Sequence, residues 1–163
     1  AADLLAQAEH DPLAQVILVS IDADIAAVEA ELARQLAVLP RQDIAAAALD
    51  HGRIISASDR DQAIDIANAA CPEHLIIQTR APEEIASSIR TAGAIFLGEW
   101  TPESMGDYAA GPNHTLPTGR AGRAWSGVTV ESFQRTTTLA RLEGLDAHRI
   151  AMTLRAQGGQ NDG

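Results

Sequence analysis

The chain has 163 residues, a formal net charge of −10 and a single cysteine. That length supports one good core and no more than one or two small domains. The acidic balance argues against nucleic acid, no apolar run approaches a bilayer-spanning length, and a lone Cys71 cannot close an internal disulfide, which fits a reducing cytoplasm.

Ala1 to His10 reads as a helix with Leu4, Leu5 and Ala8 on one face, and a chain that opens inside a helix reads as a piece of something longer. Gln15 to Ser20 (QVILVS) is a continuous apolar run of the kind buried on both faces of a sheet. Asp22 to Leu39 reads as a long helix with an acidic first turn, closed by Pro40. Arg53 to Ala57 is a second short strand. Ser58 can cap a helix over Asp59 to Ala70, which Pro72 helps to end. His74 to Gln78 (HLIIQ) is a third strand, Pro82 to Thr91 a helix with proline in its first turn, and Ala94 to Gly98 (AIFLG) a fourth strand. The stretch from Glu99 to Gly127 is rich in Gly and Pro and too long for a plain connector, which marks a functional loop. Val128 to Leu142 and Leu145 to Arg155 read as helices, and the polar tail from Ala156 to Gly163 as disordered.

Strands alternating with helices predict an α/β fold: a mostly parallel sheet with flanking helices, incomplete and Rossmann-like, plus a C-terminal helical extension. The expected organisation is an α/β domain over residues 1–127, the helical extension over 128–156 and the disordered tail over 157–163. In such sheets ligands sit beyond the carboxyl ends of the strands.

Imidazoles gather near carboxylates and turns. Gln7 and His10 are spaced i, i+3, which on a helix lets two side chains reach one metal; a surface Gln and His would have the same spacing. Pro72-Glu73-His74 places a carboxylate beside an imidazole where proline pins the helix-to-strand turn, a pair able to activate water and shuttle protons or simply to enter a strand. Gly106-Asp107-Tyr108 and Asn113-His114 lie in the long loop, where each also has a plain turn-forming reading. Asp146-Ala147-His148 stands near the start of the last helix, where Asp146 suits the helix dipole, and His51 reads as a helix-end residue without chemistry. Cys71 reads as a small buried hydrophobe rather than a reactive thiol. Taken together, mixed nitrogen and oxygen donors suit zinc with room left for a substrate.

The segments DLLAQAEHDPLAQVILV, PEHLIIQTRAPEE, AGAIFLGEWTPESMGDYAAGPNHTLPTG, SGVTVESFQR and EGLDAHRIAMTLR resemble the carboxy-terminal part of histidinol dehydrogenase, from Asp3 to about Arg155. The resemblance implies a cytoplasmic, homodimeric zinc enzyme of histidine synthesis. It would oxidise L-histidinol to L-histidine in two NAD-dependent steps through an enzyme-held aldehyde. It implies Gln7, His10, Asp107 and His148 as zinc ligands, Glu73 as the base that activates water, and His74 as the base that takes the alcohol proton. Substrate contacts are implied at Gln7, His10, His74, Asp107, His114, Glu143 and His148, with Glu143 placed to hold the substrate ammonium. It further implies that the piece carrying His148 reaches across to a partner subunit, so the site forms at a dimer interface. The residues that contact NAD belong to the family's amino-terminal half, and none is named here. The chain departs from the family pattern in lacking a helical segment between Thr138 and Leu142, and in having Cys71 where alanine is usual. Two other readings stand beside this one: a related dehydrogenase acting on another small alcohol, and a non-catalytic zinc-binding fragment.

Overall fold

A computed structural model of the chain describes residues 1–108, 111–141, 149–150 and 152–154. It forms two compact units, Ala1–Thr129 and Val130–Gly163. The first unit is mixed α/β. Its elements are α1 (Ala2–Ala8), β1 (Ile17–Ser20), α2 (Ile25–Leu36), α3 (Gln42–Asp50), β2 (Arg53–Ser56), α4 (Arg60–Ala70), β3 (His74–Ile77), α5 (Pro82–Ala86) and β4 (Ala94–Leu97). Among the described residues no helix is long and apolar enough to cross a membrane.

The best-buried cluster is Leu5, Ala8, Val16, Ala45 and Ala48, with Leu4, Ala14, Leu32, Leu36, Leu39 and Leu49 packed against it. It holds α1, α2 and α3 together. Ala8, Ala45 and Ala48 are fully buried, and a methyl side chain at each lets the helices approach closely. The sequence pattern did not single out α3, because four consecutive alanines show no contrast between apolar and polar faces. The Asp24 carboxylate caps α2 by accepting from Ala27 N at 3.0 Å. The helix stops at Leu36, and Val38 and Leu39 turn back onto Gln35 and Leu36 before Pro40.

The strands do not join into the single sheet expected of their alternation with helices. They pair as two separate parallel two-stranded sheets, β1 with β2 and β3 with β4. Ile17 pairs with Arg53 and Ser20 with Ser56 in the first; His74 pairs with Ala94 and Ile77 with Leu97 in the second. Among the described residues each strand therefore has one hydrogen-bonded neighbour, and β1 is only partly covered along Ile17–Val19 instead of buried on both faces. That partial cover leaves one flank of β1 open to a cavity.

Two local expectations change. The cap of α4 is Asp59, not Ser58: its carboxylate accepts from Gln62 N at 2.8 Å and from Ser58 Oγ at 3.0 Å, which holds it below the usual carboxylate range. Helix α5 ends at Ala86 instead of running to Thr91. The buried Asn68 side chain claims the chain beyond it, donating to Ser88 O at 3.1 Å and accepting from Arg90 N at 2.8 Å.

In the second unit the helix expected over Val128 to Leu142 is replaced by a short 3₁₀ turn, Val130–Phe133, with no regular element over residues 134–141. Three consecutive β-branched residues, Thr136, Thr137 and Thr138, restrict χ1 against a helical turn and explain the break. Residues 149–150 and 152–154 are helical, within the stretch read as the last helix. The tail from residue 157 onward lies outside the described residues.

Candidate active site

A cavity of about 560 Å³ opens in the first unit between α1, β1 and the turn that joins α4 to β3. Helix α1 supplies Asp3 and Gln7 to its wall, and His10 follows in the turn that ends the helix. The helix stops at Ala8, two residues short of the expected end, but His10 N still donates to Gln7 O at 3.3 Å, so the two residues stay one turn apart. Glu73 and His74 line the opposite wall. They sit at the amino end of β3, so the site departs from the carboxyl-end rule for parallel sheets.

The Glu73–His74 turn is built by close backbone contact. Helix α4 ends on Cys71 in the left-handed conformation, with its thiol buried and donating to Thr91 O at 3.2 Å. Pro72 O and Glu73 O then accept from Gly93 N and Ala94 N, at 3.0 and 2.9 Å. A Cβ at Gly93 would lie 2.7 Å from Glu73 O, so this approach requires glycine. Arg120 and Arg123 both donate to Ala69 O, placing cations at the C-terminus of α4, where the helix dipole favours them.

A residue not singled out by motif enters beside His74. Glu103 begins the 3₁₀ turn Glu103–Asp107 and lines the same cavity. Its Oε2 stands 3.7 Å from His74 Nδ1, and the two side chains are only 14% and 20% exposed, so solvent screens the pair weakly. Burial pushes the Glu103 carboxyl above the usual glutamate range. The Asp107 and Asp3 carboxylates push the same way, while the imidazoles of His74 and His10 pull it back. The only sequence cue to Glu103 was its position four residues before Asp107, just after Pro102.

Gln7, His10, Glu73 and His74 thus meet in one cavity. Asp107 is exposed at the end of its turn and is not part of the cavity wall, yet its charge and that of His10 both act on Glu103. His114 is exposed and away from the cavity wall, where Asn113 accepts from Thr115 N at 2.7 Å in a local turn. Glu143 and His148 lie outside the described residues. Among the described residues no three His, Cys, Asp or Glu side chains converge as a metal cage. The amide of Gln7, the imidazole of His10 and the carboxylate of Asp107 are nevertheless donors of the type zinc accepts.

Residues 1–156 match the family described as histidinol dehydrogenase. A histidinol dehydrogenase of Xylella fastidiosa is 48% identical over 174 residues, covering 95% of this chain and 40% of the relative. One from Nitratidesulfovibrio vulgaris is 50% identical over 168 residues, covering 91% and 38% respectively. The chloroplastic enzyme of Oryza sativa is 44% identical, covering 96% of the chain and 37% of the relative. The crystal structure of histidinol dehydrogenase from Elizabethkingia anophelis superposes with a TM-score of 0.77 at 43% identity, over 80% of this chain and 30% of that one. The chain thus spans about two-fifths of the length of the curated relatives it matches. On the family match and on this fold, the chain belongs to the histidinol dehydrogenase family.

Proposed function

We propose that this chain carries the zinc and acid–base part of a site that oxidises L-histidinol to L-histidine, through the aldehyde, with NAD as hydride acceptor. The observation that supports this reading is the opening of Glu73, His74, Gln7 and His10 onto one cavity, from elements more than sixty residues apart. His74 takes the proton of the substrate hydroxyl as hydride departs, and Glu73 draws a proton from water once the aldehyde exists. Adjacent positions on a pinned turn let the two groups serve successive steps without moving the substrate far. When bound, zinc held by Gln7, His10, Asp107 and His148 would fix the imidazole and amine of the substrate, and NAD would accept the hydride. Glu143 and His114 complete the substrate contacts in this reading, in a cytoplasmic homodimer whose interface contains the site.

The test is calorimetric titration of L-histidinol into the purified 163-residue chain, with and without zinc. The expected result is about one tightly held zinc per chain and histidinol binding that needs it, lost in His10→Ala. A folded, zinc-loaded chain that bound no histidinol, or bound it equally without zinc, would overturn the proposal.

A further inference from the structure

The 3₁₀ turn Glu103–Asp107 is seated by Gly106 on the ring of Phe96, a residue of β4 that is 2% exposed. A Cβ at Gly106 would lie 2.9 Å from Phe96 Cζ, so only glycine lets the turn settle this low. The same Phe96 ring lies 6.1 Å, centroid to centroid, from the His74 imidazole. One buried aromatic therefore sets the height of both the turn and the imidazole. The consequence is the 3.7 Å approach of Glu103 Oε2 to His74 Nδ1. Among the described residues, Glu103 is the carboxylate within ion-pair reach of this histidine.

A histidine that is to accept a proton at one ring nitrogen must carry its own proton on the other. Which nitrogen is protonated is set by the partner of the opposite one. We propose that Glu103 is the positioning residue of His74. Its carboxylate holds the proton on Nδ1, and leaves Nε2 as the bare nitrogen on the edge of the ring away from Glu103. This rests on the reading of His74 as the base. At 3.7 Å the two groups are within ion-pair reach and both are largely shielded from solvent, so the carboxylate biases the neighbouring ring nitrogen toward its protonated form. Burial acts first on the charge of Glu103 and disfavours it, and the facing groups are His74 and His10, which favour it, and Asp107 and Asp3, which oppose it. Ionised Glu103 is the better acceptor for Nδ1–H, and it would also steady the imidazolium that forms when His74 takes a proton.

The experiment is long-range nitrogen–proton NMR of the metal-free chain labelled at histidine. It is run at a pH where the imidazoles are neutral, and His74 is assigned by its loss in His74→Gln. The expected wild-type signature is the Nδ1–H tautomer. Glu103→Gln keeps it, because the amide oxygen can still accept, whereas Glu103→Leu moves His74 to the Nε2–H tautomer. An Nε2–H signature in the wild type would overturn the proposal without a mutant and independently of histidinol binding. An unchanged tautomer in a folded Glu103→Leu chain would also overturn it.

Discussion

Gln78, the residue after β3, donates from Nε2 to Oδ2 of Asp3 on α1 at 2.9 Å. The bond joins the helix that carries Gln7 to the strand that begins with His74, so it spans the two walls of the cavity. It is exposed, which limits its effect on stability to about 0.5–1 kcal/mol. Gln78→Ala is therefore expected to unfold in urea nearly as the parent does, while binding zinc more weakly by calorimetry. Unchanged zinc affinity would show that the two walls keep their spacing without this tie.

Gly93→Ala tests the close approach behind Glu73. The added methyl meets a backbone carbonyl, which cannot swing aside like a side chain. A loss of roughly 1–3 kcal/mol in urea unfolding is expected, as for overpacking of a tight contact. An alanine variant as stable as the parent would mean that the 72–74 turn shifts freely.

The pH dependence of stability should report on Glu103. Its carboxyl is raised above the unfolded range, so the folded chain binds more protons over the window from the ordinary glutamate range up to the folded value. Stability from this group therefore falls as pH rises through that window. In metal-free protein, Glu103→Gln is expected to melt higher than the parent at neutral pH, with the advantage fading as pH falls below the ordinary glutamate range. A variant that melts lower than the parent at neutral pH would contradict the burial penalty on this carboxyl.

On the roles proposed for His74 and Glu73, the two residues should fail at different steps. In a full-length enzyme that contains this chain, loaded with zinc and NAD, His74→Asn is expected to lower histidinol turnover by about 10²–10⁴-fold while aldehyde supplied directly is still oxidised. Glu73→Gln should do the reverse, so that aldehyde oxidation is the step lost. Stopped-flow measurement of NADH formation from each substrate separates the two, and equal losses on both substrates would reject the division of labour.

Several elements were legible before any coordinates, because their causes are local. Helix α1, the four short strands and the buried setting of Cys71 follow from periodicity, β-branched runs and residue size. The Glu73–His74 pair and the Gln7–His10 spacing are likewise features of neighbours in sequence. What local pattern could not supply was the partner of each element. Strand pairing into two sheets is decided by which backbone edges meet, and an alternating pattern is compatible with one sheet or two. The cap on Asp59, the early end of α5 and the break at Thr136–Thr138 arose from side chains competing with the backbone for its hydrogen bonds and rotamers.

The sequence by itself determined the family, helix α1, the four short strands and the adjacency of the two proposed bases, since each is written in contiguous residues. Only the tertiary structure decided that Glu103 stands at His74. That juxtaposition depends on Gly106 lacking a side chain above Phe96, a contact between residues ten apart whose effect is felt at a third and fourth position. Chain spacing encodes which groups exist; burial and close packing decide which of them share an electric field.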